Sequence, residues 1–359
     1  MKKKVAIILG TRPEIIKMSP VIRELRRQKI SHFIIHTNQH YSQKMDAIFF
    51  RELEIAPAKY NLDVGSGIHG LQTGKMLPRI EEVLLKEKPS CVLVHGDTNT
   101  TLSGALAAKK LHLKIGHVEA GLRSFDEKMP EEVNRVLTDH MTDFCFAPTK
   151  TASLNLRKEG INSKKIIITG NTIVEAVKQN KIIADKKSKI LSKLKLENKK
   201  FALLTFHRPE NTDSKKNLEN IIKGLSIVNK KLNLEIIFPA HPRTQKMIDK
   251  FKLKIPAGIK IIEPVGYFDF LTLIASAQLI FTDSGGIQEE ACILKVPCVT
   301  LRGNTERPET IAVGSNVLVG SDVQKILSAA RKMLLKKKNW HNPFGNESVS
   351  KIIIQKSVC

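Results

Sequence analysis

The sequence predicts an α/β protein made of two doubly wound domains facing each other across a cleft. Short apolar runs alternate with amphipathic stretches of helical length along the whole chain, the pattern of parallel sheets built from βαβ units. A chain of 359 residues is also too long for one ordinary hydrophobic core. The two halves begin alike: Val5–Leu9 runs into Gly10-Thr11-Arg12-Pro13-Glu14, and Leu203–Phe206 runs into His207-Arg208-Pro209-Glu210-Asn211. In such sheets ligands lie beyond the carboxyl ends of the strands, so these loops are where function is expected.

In order, the strand candidates are Val5–Leu9, His32–His36, Cys91–His95, Lys114–Val118, Phe144–Ala147 and Lys165–Thr169 in the first half. Ala202–Phe206, Glu235–Pro239, Ile259–Ile262, Leu279–Thr282, Cys298–Leu301 and Asn316–Val319 follow in the second. Helical periodicity marks Met18–Gln28, Leu71–Lys86, Thr101–Leu111, Val133–His140, Leu218–Lys230, Phe268–Ser276 and Gly286–Leu294. The lysine-rich stretch Val174 to Lys200 lacks strand signals and is expected to bridge the halves as exposed helix. The first domain is thus expected over 1–172 and the second over 173–340, with a helical tail over 341–359 that can pack back on the first.

Composition narrows the function. Apolar residues make up 42%, normal for a globular protein, and no apolar run reaches the roughly 18–20 residues needed to cross a bilayer. The apolar stretch after Lys2-Lys3-Lys4 is too short for a signal peptide and reads as the first strand. Five cysteines form no CxxC pair; Cys91 and Cys298 lie inside strand-like runs as buried free thiols. A reducing cytoplasm fits, and a metal site does not, for want of clustered ligands. The net charge of +24 raises nucleic acid as a partner. The lysines instead form solvated faces, such as Lys186 to Lys200, and only three tyrosines and one tryptophan are present for stacking. A small anionic nucleotide is the better use of a few of these charges, with neither nucleic acid nor membrane as partner.

Several loops carry chemistry. Gly10 to Lys17 leaves a strand and enters a helix, where backbone N–H groups, Arg12 and Lys17 suit an anion; capping with solvated charges is the plainer alternative. His95-Gly96-Asp97-Thr98 closes a strand; Asp97 either faces the cleft or shares helix capping with Thr98. His117-Val118-Glu119 repeats the design, and Glu is a poor cap. Glu131 follows Pro130 at a helix start. Three carboxylates at one cleft edge resemble acid/base machinery, because neighbours separate one another's pKa values. His207 ends the first strand of the second half, and His241 is a fainter candidate of the same kind. Asp283-Ser284-Gly285-Gly286 opens a helix bearing Glu290: the glycines let backbone amides approach a pyrophosphate, Glu290 can accept from ribose hydroxyls, and Arg307 adds charge. Gly65-Ser66-Gly67-Ile68-His69-Gly70 matches G-x-G-x-x-G but follows no strong strand, so it reads as a loop before a helix and no nicotinamide cofactor is expected.

In order along nearly the whole chain, Gly10 to Glu14, the three acid motifs, His207 to Asn211 and Asp283 to Glu290 resemble the non-hydrolysing UDP-N-acetylglucosamine 2-epimerases. The resemblance implies two Rossmann-like domains of the GT-B type, a homodimer, no metal or nicotinamide, and interconversion of UDP-N-acetylglucosamine with UDP-N-acetylmannosamine. By motif it implies Asp97, Glu119 and Glu131 as acid/base carboxylates, with Lys17 and His207 assisting at the sugar and the leaving UDP. It implies Arg12, Ser284, Gly285, Gly286, Glu290 and Arg307 around UDP, with Phe270 near the uracil. Gln39, His40 and Gln43 resemble part of a site for an activating second UDP-N-acetylglucosamine. The chemistry suits these residue types. The hydrogen on sugar carbon 2 is not acidic until UDP departs and leaves an oxocarbenium-like centre at carbon 1. A base then gives 2-acetamidoglucal, and protonation on the other face with return of UDP gives the epimer. A hydrolysing epimerase that releases free N-acetylmannosamine, or a glycosyltransferase of the same fold, are the competing functions.

Overall fold

The computed structural model describes residues 3–38, 49–346 and 348–358. Two compact units result: one holds the chain up to Ala176 and again from Phe344, the other Val177–Pro343. The first unit contains β1 Lys4–Leu9, β2 Ser31–His36, β3 Tyr60–Asn61, β4 Cys91–His95, β5 Lys114–Val118, β6 Phe144–Ala147 and β7 Ile166–Ile168. They form one sheet in the order β3-β2-β1-β4-β5-β6-β7. The second contains β8 Phe201–Thr205, β9 Glu235–Pro239, β10 Ile259–Ile262, β11 Leu279–Thr282, β12 Cys298–Thr300 and β13 Asn316–Leu318, in the order β10-β9-β8-β11-β12-β13. Every pairing is parallel. This is the expected doubly wound α/β architecture, built twice.

Parallel strands covered on both faces need apolar side chains throughout, and β1 shows it: Val5 to Leu9 are all fully buried. Ile8, Phe33, Met76, Ile80, Val92 and Val94 meet in one cluster of the first unit. In the second, Leu204, Phe206, Phe238 and Phe281 meet Leu218, Leu225 and Ile326. The one strand without a sequence signal is β3, whose two residues are too few to show a period.

Helix ends differ most from expectation. The first helix spans Arg12–Arg27, not Met18–Gln28, because Pro13 suits the first turn and Pro20 is accommodated inside the helix. Pro130 likewise opens the helix Pro130–Met141 three residues earlier than its apolar pattern. The lysine-rich bridge forms the helices Ile173–Lys187 and Ile190–Leu194. It is not exposed throughout: Val174, Ala176, Val177 and Ala184 are fully buried, so the lysines occupy only its outer face. Gly65 to Ile68 is the expected loop before a helix, but His69 and Gly70 already belong to that helix, His69–Glu87. Gln39, His40 and Gln43 lie outside the described residues.

Two glycines are required by close approach. A Cβ on Gly10, just after β1, would collide with the hydroxyls of Thr100 and Thr37. Gly121, just beyond β5, has φ +81°, and a Cβ there would strike the Ala152 backbone oxygen and lie 2.8 Å from Leu156 Cγ. Gly121→Ala is expected to destabilise the chain by about 2 kcal/mol or more, read as a lowered urea midpoint. An unchanged midpoint would contradict the packing described.

Candidate active site

In each sheet the chain reverses its winding at one point, between β1 and β4 in the first unit and between β8 and β11 in the second. Loops leave such a switch point in opposite directions and open a crevice at the carboxyl ends of the strands. In the first unit Glu14 ties those loops together. Its carboxylate accepts from the N–H groups of Gly10 and Thr11, both at 2.7 Å, and from the Thr98 hydroxyl at 2.7 Å. Burial raises its pKa against these bonds. Thr98 also caps the helix Asn99–Lys110 by accepting from Thr101 N–H. The cap is therefore Thr98, and Asp97 is left for other work.

Glu119 leaves β5 with φ +73°, a left-handed conformation unusual for a residue with a side chain. Its carboxylate is buried; Oε1 receives Lys17 Nζ at 2.5 Å and Asn171 Nδ2 at 2.7 Å. Lys17 and Glu119 thus form a buried, hydrogen-bonded ion pair. The Arg12 guanidinium lies over the Phe49 ring at 5.6 Å. Oε2 of Glu119 faces His95 Nε2 at 3.6 Å. Neither ring nitrogen of His95 makes a hydrogen bond among the described residues. Burial pushes the His95 pKa down to about 4, so the imidazole stays neutral despite Glu119.

Asp97 follows the turn at Gly96 and is half-buried, and its Oδ2 accepts from Arg135 Nη2 at 2.5 Å. Asn134 Nδ2 bonds the Asp97 carbonyl at 2.9 Å. Both partners stand on the helix Pro130–Met141, whose first turn carries Glu131. The Glu131 side chain is exposed, and among the described residues no hydrogen bond reaches its carboxylate. Its neighbour Glu132 is the buried one, accepting from Ser124 N–H at 3.0 Å, Phe125 N–H at 2.9 Å and Arg135 Nη1 at 2.6 Å. Three carboxylates therefore meet three environments: Glu119 locked, Asp97 paired and half-open, Glu131 unbonded.

In the second unit Asp283 is the counterpart of Glu14. Fully buried at the end of β11, it accepts from the N–H groups of His207 at 3.1 Å and Arg208 at 3.0 Å, and from Asn211 Nδ2 at 3.0 Å. The loop after β8 is thereby fixed while the His207 side chain stays 49% exposed. Its ring lies 6.1 Å from that of His241, which caps the helix Pro242–Lys250. Ser284 precedes the helix Gly285–Ile293. A Cβ at Gly286 would meet nothing closer than Ser284 Oγ at 4.0 Å, so packing does not demand glycine there. Glu290, buried, faces the Tyr267 hydroxyl at 3.4 Å. Arg307 Nε pairs with the buried Glu289 at 2.5 Å. Beside it, Glu306 is pulled down to about 2: burial raises it, but the bonds and charge of Arg302 and the nearby arginines outweigh that. Phe270 is half-buried against the core of this unit.

Of the predicted residues the structure joins Lys17 directly to Glu119, and Asp97 to the helix of Glu131. His95 and Arg135 stood within the acid motifs without a role of their own, and Asn171 and Tyr267 were not singled out. Glu14 was also given no role, although Thr11-x-x-Glu14 is a readable capping box. Among the described residues no group of three or more His, Cys, Asp or Glu side chains is placed to hold a metal ion.

A family model described as UDP-N-acetylglucosamine 2-epimerase matches residues 23–356. The chain is 60% identical over 358 residues to the UDP-N-acetylglucosamine 2-epimerase of Methanococcus maripaludis, covering 98% of this chain and 97% of that one. It matches the crystal structure of the Methanocaldococcus jannaschii UDP-GlcNAc 2-epimerase in complex with UDP-GlcNAc and UDP with a TM-score of 0.91 at 56% identity, covering 98% and 99%. It is 43% identical over 335 residues to the UDP-2,3-diacetamido-2,3-dideoxy-D-glucuronate 2-epimerase of Pseudomonas aeruginosa, covering 92% of each.

His95 generates a pH prediction. It is faced by Glu119, Lys17, His117 and Asp97. Folded it protonates near 4, unfolded near 6.5, so between these values the unfolded chain binds the extra proton and stability falls as pH falls. The loss across that window is about 3 kcal/mol, and His95→Gln should remove it from urea midpoints measured between pH 7 and 4. Parallel curves for the two proteins would refute the assignment.

Proposed function

Since this chain belongs to the UDP-N-acetylglucosamine 2-epimerase family, we propose that it interconverts UDP-N-acetylglucosamine and UDP-N-acetylmannosamine by eliminating UDP and adding it back. The observation that carries this reading is the set of carboxylates with unequal freedom beyond the adjacent strands β4 and β5. In the forward step the bond from carbon 1 to the diphosphate oxygen breaks with its electron pair on UDP. A carboxylate then takes the proton from carbon 2 and leaves 2-acetamidoglucal. Protonation on the opposite face and attack of the UDP oxygen on carbon 1 complete the cycle.

Glu119, with Lys17 and Asn171 on one oxygen, is suited to stabilise positive charge at carbon 1 more than to change partners. Asp97 and Glu131 keep the freedom that proton exchange on two faces requires. His207 stabilises the departing diphosphate. Ser284, Gly285 and Gly286 hold the diphosphate at a helix start, with Arg12 adding charge. Glu290 receives the ribose hydroxyls, and Phe270 lies by the uracil. Arg307, beside Gly285, adds charge there and also pairs with Glu289. UDP-N-acetylglucosamine is favoured over the diacetamidoglucuronate sugar because the more similar Methanococcus relative bears the former name.

The test is incubation with UDP-N-acetylglucosamine in heavy water, followed by NMR. Deuterium at carbon 2 of a product still linked to UDP supports the proposal, and free N-acetylmannosamine assigns the chain to the hydrolysing reaction instead. Asp97→Asn and Glu131→Gln should each slow that exchange by about 100-fold or more with UDP affinity nearly intact. Ser284→Ala should do the reverse, weakening UDP binding roughly 3- to 10-fold. Wild-type exchange in the carboxylate variants would remove them from the mechanism.

The proposal includes a homodimer in a reducing cytoplasm. Val133 and Leu137, one turn apart on the helix Pro130–Met141, are each 48% exposed and give an apolar stripe for a second copy. The described cysteines are buried thiols, with Cys91, Cys145 and Cys298 pushed up to about 12 by burial. No helix of the described residues is long and apolar enough to cross a membrane. Sedimentation equilibrium should return twice the chain mass; a monomer at micromolar concentration would withdraw the dimer.

A further inference from the structure

We propose that His117 is a positioning residue for epimerisation: a clamp that sets the spacing between the loops bearing Asp97 and Glu119. The proposal rests on the reading that these two carboxylates act on the sugar.

His117 lies on β5 with its side chain fully buried. Nε2 stands 2.8 Å from the carbonyl of Gly96, the residue before Asp97. A carbonyl only accepts, so Nε2 carries the hydrogen. Nδ1 stands 2.6 Å from Asp139 Oδ1. Burial raises the Asp139 carboxyl, but the charges and bonds of His117 and Arg123 together hold it below the usual range. The carboxylate thus holds the second ring nitrogen as the Gly96 carbonyl holds the first. The other Asp139 oxygen accepts from Gly121 N–H at 3.0 Å and from Arg123 Nη2 at 2.7 Å. Arg123 is in turn held by Glu159 at 2.6 Å.

These bonds enclose Glu119 on both sides. Two residues before it, His117 binds Asp139; two residues after it, Gly121 binds the same carboxylate. Across the sheet the His117 ring grips the Gly96 carbonyl, while the Gly96 N–H donates to Val118 O at 3.0 Å. The peptides on either side of Gly96 are thus both fixed to β5, at a residue with φ +72°. Asp97 then leaves in one direction only. A histidine needed merely to fill space would be served by one bond. This one spans two strands and touches the backbone on which the two acids are mounted. Misplacing a reacting group by about 1 Å costs on the order of 100-fold in rate, so the clamp bears on turnover and not on nucleotide affinity.

The test compares three side chains in the full-length protein. Gln can present an N–H where Nε2 stands; Met has similar length but donates nothing; Asn can keep the Asp139 bond but does not reach Gly96. Turnover of UDP-N-acetylglucosamine should fall about 100-fold in His117→Met and His117→Asn, and stay within about tenfold of wild type in His117→Gln, with KM within threefold in all. Equal losses in Gln and Met, or a loss confined to KM, overturn the proposal. So does failure of all three variants to fold, which assigns the ring to stability alone. If Asn alone fails to fold, the Gln and Met pair decides. Failure of the underlying reaction is separate: there the wild-type protein itself yields neither epimer nor deuterium at carbon 2.

Discussion

At the switch point of each sheet one buried carboxylate holds the two diverging loops together, and the loops that carry Arg12, Asp97 and His207 depend on it. Where β1 and β4 part, N–H groups at the end of β1 have no strand to bond; Glu14 gathers those of Gly10 and Thr11 and the Thr98 hydroxyl. Where β8 and β11 part, Asp283 gathers the N–H groups of His207 and Arg208 and the amide of Asn211. A buried carboxylate is costly unless its oxygens are bonded, and buried backbone donors are costly unless accepted, so each group removes the other's penalty. The start of the helix Arg12–Arg27 follows from this tie, and with it the reach of Lys17 toward Glu119. His207 likewise stays half-exposed on a backbone bonded to Asp283.

The carboxylates beyond β4 and β5 are chemically unlike because their surroundings are unlike. Glu119 has a cation and an amide on one oxygen and a neutral imidazole facing the other. Asp97 has a single arginine and a half-open position. Glu131 has no bond from the described residues and sits at the positive end of a helix. Groups of one residue type, separated by environment, can divide the tasks of stabilising charge, accepting a proton and returning one. Asp97 and Glu119 lie just beyond strand ends and Glu131 in the first turn of a helix.

The fold was legible because buried parallel strands leave long apolar runs, and all twelve expected strands formed. Helix starts were less so, since Pro13, Pro20 and Pro130 mask helical periodicity that the backbone nonetheless accepts. In the candidate site the motifs revealed which residue types gather, not how they pair. Lys17 lies 102 residues from Glu119 in sequence, and Asn171 another 52 beyond. No local pattern joins them. Asp97 and Thr98 were equal candidates for a cap until the backbone placed the Thr98 hydroxyl over Thr101 N–H. Glu131 and Glu132 are adjacent and identical in type; only the direction of the first turn decides that Glu132 is buried and Glu131 exposed.

Glu119 shows why such pairings are long-range. Its left-handed backbone costs on the order of 1–2 kcal/mol relative to an ordinary conformation. A glycine would relieve that strain, but it would remove the bonds that Lys17 and Asn171 make to the Glu119 carboxylate. The conformation is therefore kept by partners brought from elsewhere in the chain. Asn171 is itself fixed by donating its N–H to the Phe344 carbonyl at 2.8 Å. The segment containing Phe344 is anchored in turn, because Glu175 accepts from Ser350 N–H at the start of the helix Val349–Ser357. The returning tail is thus the outermost support of an acid 225 residues before it in sequence. A strained carboxylate at the end of β5 is thus tied, through Asn171, to a segment that returns to the first unit after the second is complete.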